Sequence, residues 1–321
     1  MLNTIRSALC LLLLASASAW PQAYPVKPVK AMIGYAPGSS TDIVGRLLAA
    51  KLSEAWKQPV IVENRGGAGG MLAADAVAKS APDGYTILIG QNGLAINVAA
   101  NPKLPFNGER DLIPVATVAA TPHILIVALN SPVKSVEELI ALAKLRSSTP
   151  LTFASAGHGT SDHMAGEMFK ALAGINTTHV PYRGGSLAAT DLLGGQIDYY
   201  FAGMPVGLPL VKSARVRALA VTSKQRFPGS PDTPTVAESG VANYDMVMWQ
   251  GVFVPAGTPR TVIDKISADV ARILETPDMK ERMSGAGVQI FSLGADRFDE
   301  YYRNDIARLR AVVRQSGISI E

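Results

Sequence analysis

Three short stretches of this sequence gather glycine and hydroxyl residues where a strand-like run gives way to a helical pattern: "PGSSTD" (Pro37–Asp42), "SAGHGTSD" (Ser155–Asp162) and "YRGGS" (Tyr182–Ser186). Glycine lets a backbone come close to a ligand. Serine and threonine hydroxyls donate hydrogen bonds, and the first turn of a helix leaves N–H groups unpaired beside roughly half a positive charge. The chemistry of such a corner is the holding of an anion without a basic side chain. Asp42 and Asp162 fall in the first helical turns. Turned inward they would repel an anion, so they are expected to cap or brace their loops.

Other chemistries lack their residues. No G-x-S-x-G elbow and no G-x-x-x-x-G-K-[ST] loop occurs, and "GHGTSD" has Asp162 where a dinucleotide fingerprint needs its third glycine. The histidines His123, His158, His163 and His179 form no H-E-x-x-H motif, and a spacing of five places His158 and His163 on different faces of a helix. No metal and no cofactor is therefore expected, and the histidines are read as caps and packing. Paired carboxylates of a glycosidase cannot be recognised from spacing, so that class stays open.

The elements that must position the loops follow from periodicity. Apolar runs at Val29–Tyr35, Val60–Val62, Thr86–Gly90, Leu151–Ser155, 178–182 and Ile197–Gly203 alternate with helical patterns around Ile43–Ala55, Met71–Lys79, Asp162–Ala173 and Leu187–Leu193. These are βαβ units on a largely parallel sheet, repeated as two similar α/β blocks. The β-rich segment Val115–Pro132, broken at Pro122, suits a chain crossing between lobes. A strand at Met246–Pro255, a helix starting at Thr258-Pro259 and a last helix over Arg297–Arg314, stopped at Gly317, read as cover for the first lobe. The expected organisation is a signal peptide at 1–19, lobe one at 20–124 plus 224–321, and lobe two at 125–223.

The leader has Arg6 as its charge, an apolar block Ala8–Leu14 and small residues Ala17-Ser18-Ala19 before Trp20. It reads as a cleavable secretory signal, too short to span a bilayer. Cys10 is the single cysteine among 321 residues and leaves with it, so the exported chain has no disulfide and no thiol chemistry. With 17% charged and 48% apolar residues the chain is globular, and its net charge of +4 is scattered, which argues against nucleic-acid binding.

Together "YAPGSSTDIVGRLLA", "VENRGGAGG", "SAGHGTSDHMAGEMF", "VPYRGG", "LLGGQIDYYFAG" and "WQGVFVPAGTP" resemble the Bug family, periplasmic solute receptors of tripartite tricarboxylate transporters. The resemblance implies a type II periplasmic-binding-protein fold: two Rossmann-like α/β lobes joined by crossover strands, with a ligand cleft between them. It implies a small organic carboxylate as ligand (di- or tricarboxylate, amino acid or aromatic acid), membrane transporter components as partners, no nucleic acid, no direct membrane insertion, and action as a monomer. The implied carboxylate grip is Ser39, Ser40, Thr41, Ser155, Gly157, Gly159 and Thr160, with Tyr35, Gln91, Tyr182, Arg183 and Ala202 lining the cleft. Where the family's first loop reads Pro-Gly-Gly, this chain has Ser39. If that position needs a positive φ the serine is strained; if not, its hydroxyl adds a ligand contact. A sensor of the same fold feeding a membrane signalling protein, or an exported enzyme, are the alternative readings.

Overall fold

The central short apolar runs form strands because both of their faces are covered. In β1 (Val29–Ile33) every residue but Lys30 is buried, and β5 (Leu151–Ser155) and β7 (Tyr199–Gly203) are equally enclosed, as buried parallel strands must be. The computed structural model describes residues 24–316; the expected signal peptide, Cys10 and the stop at Gly317 lie outside the described residues. No helix among the described residues is long and apolar enough to cross a membrane.

Two half-sheets share one strand. In the first, β2 (Val60–Asn64), β1 and β3 (Thr86–Gln91) are parallel, and β9 (Val247–Pro255) runs antiparallel beside β3. In the second, β6 (Thr177–Pro181), β5 and β7 are parallel, and β4 (Leu112–Ala128) runs antiparallel beside β7. The two halves repeat the same order, β2-β1-β3-β9 and β6-β5-β7-β4, so the β1 and β5 corners are equivalent positions. β4 is common to both: residues 112–122 pair with β9, and residues 123–128 pair with β7 and with β8 (Val216–Val221).

The expected break at Pro122 does not occur. Pro122 sits inside β4, paired with Val247, at the last step of the β9 ladder before His123 opens the β7 ladder. A missing donor is tolerated at such a hand-over, so the strand continues and carries the chain between halves without a loop.

The helices cover both faces. α1 (Ser40–Trp56) follows β1, a 3₁₀ turn (Ala68–Gly70) and α2 (Met71–Ala78) follow β2, and α3 (Gly93–Ala100) follows β3. The second half carries α4 (Val136–Leu145), α5 (Ser161–Ala173) after β5, α6 (Gly185–Leu193) after β6 and α7 (Met204–Lys212) after β7. At the C-terminal end lie α8 (Arg260–Glu275), α9 (Pro277–Gly285) and α10 (Ala295–Ser316). Helices α3, α4 and α9 are additions to the sequence reading. The small apolar run of α3 has no cap bond at Asn92 and too little contrast between faces to announce a helix. In α10, Phe298 and Tyr302 pack their rings against Trp249 and Phe253 of β9, and the Trp249 indole donates to the buried Asp305 at 2.8 Å.

Candidate functional site

The two equivalent corners meet at one cavity. It is lined by Tyr35, Ser39, Ser40 and Thr41 from the β1–α1 corner and by Ala156, Ser161 and Asp162 from the β5–α5 corner. Gln91, His123, Gly185, Tyr200, Gly203 and Met248 complete the wall. No Lys or Arg is among these residues.

Each corner is braced by its aspartate. Asp42 accepts from the Gly38 N–H at 2.8 Å and from Asn64 Nδ2 at 2.7 Å, and it pairs with Arg46 at 2.9 Å. Burial alone would raise the Asp42 pKa, but these donors together hold it below the usual carboxylate range. Asp162 accepts from the Ala156 N–H at 2.7 Å and the Tyr200 hydroxyl at 3.1 Å. Its carboxyl is pushed up by burial, with these bonds pulling the other way. Both acids brace their own loops, as expected; Asp162 also borders the cavity with its oxygens already engaged.

Bracing leaves a specific set of donors unused. On the first corner the Ser39 amide donates to Ala36 and the Gly38 amide to Asp42. Ser40 and Thr41 are the first residues of α1, and no protein acceptor takes their amides. Ser161 stands at the same place on α5. Ser39 is in extended conformation (φ −71°), so serine in place of glycine is unstrained there. Its hydroxyl is buried and has no partner.

The other expected site residues are placed elsewhere. The Thr160 hydroxyl donates to the Gly157 carbonyl at 2.6 Å and accepts from the His163 amide at 3.4 Å, which makes it the cap of α5. Ser155 Oγ accepts from the Gly157 amide at 3.0 Å and lies 2.5 Å from His179 Nε2. The Gly159 amide donates to His163 Nδ1 at 3.1 Å. The Tyr182 hydroxyl donates to Asp191, and Ala202 pairs with Ile124 inside the sheet. Of Arg183 it is the carbonyl that works, accepting from the Ala36 amide across the cleft at 3.1 Å.

Three further bonds join the halves. Ser186 Oγ donates to the Pro37 carbonyl (3.1 Å), Asn97 Nδ2 to the Gly159 carbonyl (3.0 Å), and Ser161 Oγ to Gln91 Oε1 (3.1 Å). The glycine-rich "NRGGAGG" turn lies under this seam. A Cβ on Gly69 (φ +61°) would stand 2.1 Å from the His158 carbonyl, so only glycine permits the approach.

Sequence reasoning missed His123, Ser161, Tyr200, Gly203, Gly185, Ala156 and Met248. Ser161 and Ala156 were inside a stretch already singled out. His123 was hidden in a run that reads only as strand.

The separation expected for His158 and His163 is corrected. His158 precedes α5, and its ring and those of His163 and His179 meet, with nitrogens within 4.8 Å of one another. The His163 and His179 rings are stacked, 3.8 Å between centroids and 15° from parallel. Stacked rings do not converge on one ion. In this arrangement the cluster props the glycine loop.

A family model described as the tripartite tricarboxylate transporter family receptor matches residues 44–318. BugT of Bordetella pertussis is 33% identical over 300 residues, 93% of this chain and 92% of that protein. Among solved structures, R. palustris Rpa4515 with adipate superposes with TM-score 0.89 at 31% identity, covering 92% of this chain and 99% of the other. MatC from Rhodopseudomonas palustris with bound malate gives TM-score 0.85 at 31% identity, covering 90% and 100%.

Proposed function

Since the chain belongs to the tripartite tricarboxylate transporter receptor family, we propose that it captures a small carboxylate in the periplasm by cleft closure and delivers it to a membrane transporter of that kind. The observation that carries this reading is the set of unused donors facing one cavity: the amides of Ser40, Thr41 and Ser161 and the hydroxyl of Ser39. Two helix N-termini point at the same space, so their dipoles add for an anion between them.

In this reading residues 20–124 with 224–321 and residues 125–223 are the two jaws, and β4 and β9 carry the hinge. Tyr35, Gln91 and the loops around Gly157, Gly159, Thr160 and Tyr182 hold the walls in register. Solved relatives of this chain carry adipate and malate, which supports a carboxylate of few carbons.

The test is calorimetry of the chain from residue 20 onward against a panel of mono-, di- and hydroxycarboxylic acids. At least one acid is expected to bind with micromolar Kd or better. Ser39→Ala is expected to weaken that acid about tenfold or more, since a bond to a charged acceptor contributes roughly 1.5–3 kcal/mol, while leaving the unfolding midpoint unchanged because the hydroxyl has no protein partner. A panel without a single binder, or full affinity in Ser39→Ala, would remove this grip.

A further inference from the structure

The cavity wall contains one buried nitrogen that the carboxylate grip does not use. His123 is 1% exposed, borders the cavity, and its Nδ1 has no hydrogen-bond partner. Its Nε2 lies 3.0 Å from Ser161 Oγ. Which ring nitrogen carries the proton is decided by the bond that Ser161 makes to Gln91.

Gln91 turns its amide oxygen, which only accepts, toward Ser161. Ser161 Oγ donates to Oε1 at 3.1 Å, so its own proton is committed. The contact with His123 then requires Nε2–H as the donor, and Nδ1 is left as a bare lone pair.

The rest of the wall presents the opposite polarity. The Ser39 hydroxyl and the amides of Ser40, Thr41 and Ser161 are donors in search of acceptors. Asp162, the one carboxylate in the wall, has Oδ2 engaged by Ala156 and Tyr200 and Oδ1 by the His163 amide. We propose that His123 Nδ1 is a specificity contact, accepting a hydrogen bond from a hydroxyl or amino group of the bound acid. Building on the carboxylate reading, the inference narrows the ligand to a small acid that brings its own donor, in preference to an unsubstituted acid of the same length. An orphaned buried acceptor discriminates strongly, because the ligand that lacks the donor leaves it unpaired.

The test uses matched pairs that differ in one group: lactate and alanine against propionate, and malate against succinate. The hydroxyl- or amino-bearing member is expected to bind at least tenfold tighter, and the lactate and alanine arms separate the two donor types. His123→Phe is expected to abolish the preference, so that the two members of each pair bind alike. ¹⁵N–¹H correlation of the histidine rings in the unmutated protein provides a reading that does not depend on the variant folding. It is expected to show His123 protonated at Nε2 and bare at Nδ1, with the Nδ1 resonance moving when the donor-bearing acid is added. Equal affinities within the pairs, or a proton on Nδ1, overturn the proposal. Failure of every acid to bind instead removes the carboxylate reading, and the ring spectrum still judges the tautomer.

Discussion

Three imidazoles in this protein are kept neutral by their surroundings. Burial, the largest cause in each, lowers His123 and His163 from 6.5 to about 3 and His179 to about 2, with neighbouring positive charge adding to the shift in the latter two. A depressed folded value means that the unfolded chain binds more protons in between. The stability these groups contribute is therefore complete above about pH 6.5 and is lost as pH falls from there toward 3. A fully neutral buried imidazole costs at most about 1.4 kcal/mol per pH unit in that window, and less for the half-buried His179. The urea midpoint is expected to hold steady from pH 8 to 7 and to fall between pH 6.5 and 4.5, above the range where most carboxylates titrate. A midpoint unchanged over that interval would show that these rings are protonated in the fold.

At the level of elements, the two glycine–hydroxyl corners are alike in plan and different in execution. Asp42 reaches back to Gly38 and Asp162 to Ala156, each acid closing the loop that precedes its own helix. α1 has no side-chain cap bond at Ser39, whereas α5 is capped by Thr160. The first corner thus reserves its hydroxyl and amides for the cavity, and the second spends Thr160 on its own loop. Thr160→Val removes the bond to Gly157 and the cap to His163 together. It is expected to cost about 1–2 kcal/mol of stability in denaturant unfolding. A variant as stable as the parent would return the Thr160 hydroxyl to the list of ligand contacts.

At the scale of the whole molecule, four hydrogen bonds and the meeting of Gly69 with His158 hold the halves against each other around the cavity. Gly203 ends β7 with φ −58°, a conformation any residue adopts, yet a Cβ there would lie 2.2 Å from Ser40 Oγ. Gly203→Ala is therefore a wedge between halves rather than a backbone defect. It is expected to leave the unfolding midpoint of the free protein little changed and to weaken acid binding at least tenfold. Small-angle scattering with saturating ligand is expected to give a larger radius of gyration than the parent. Equal radii and equal affinity would mean that the seam is not what closes on the ligand.

How much of this was legible depended on the range of the interaction involved. The alternation of βαβ units, the glycine–hydroxyl corners and the bracing role of Asp42 and Asp162 are local: each rests on residues within about two helical turns, whose types restrict the backbone directly. So the α/β class, the family and the place of the glycine–hydroxyl corners ahead of their helices were readable from residue order. The tertiary structure alone decided which of the marked residues face the cavity. It turned Thr160, Ser155 and Tyr182 to partners outside the wall and brought in His123 from a strand with no distinguishing pattern. It carried β4 through Pro122 because the missing donor falls where one ladder ends and another begins. It also gathered three histidines from two segments and joined His123 through Ser161 to Gln91. Contacts between residues far apart in the chain leave no periodicity in it, which is why packing had to supply them.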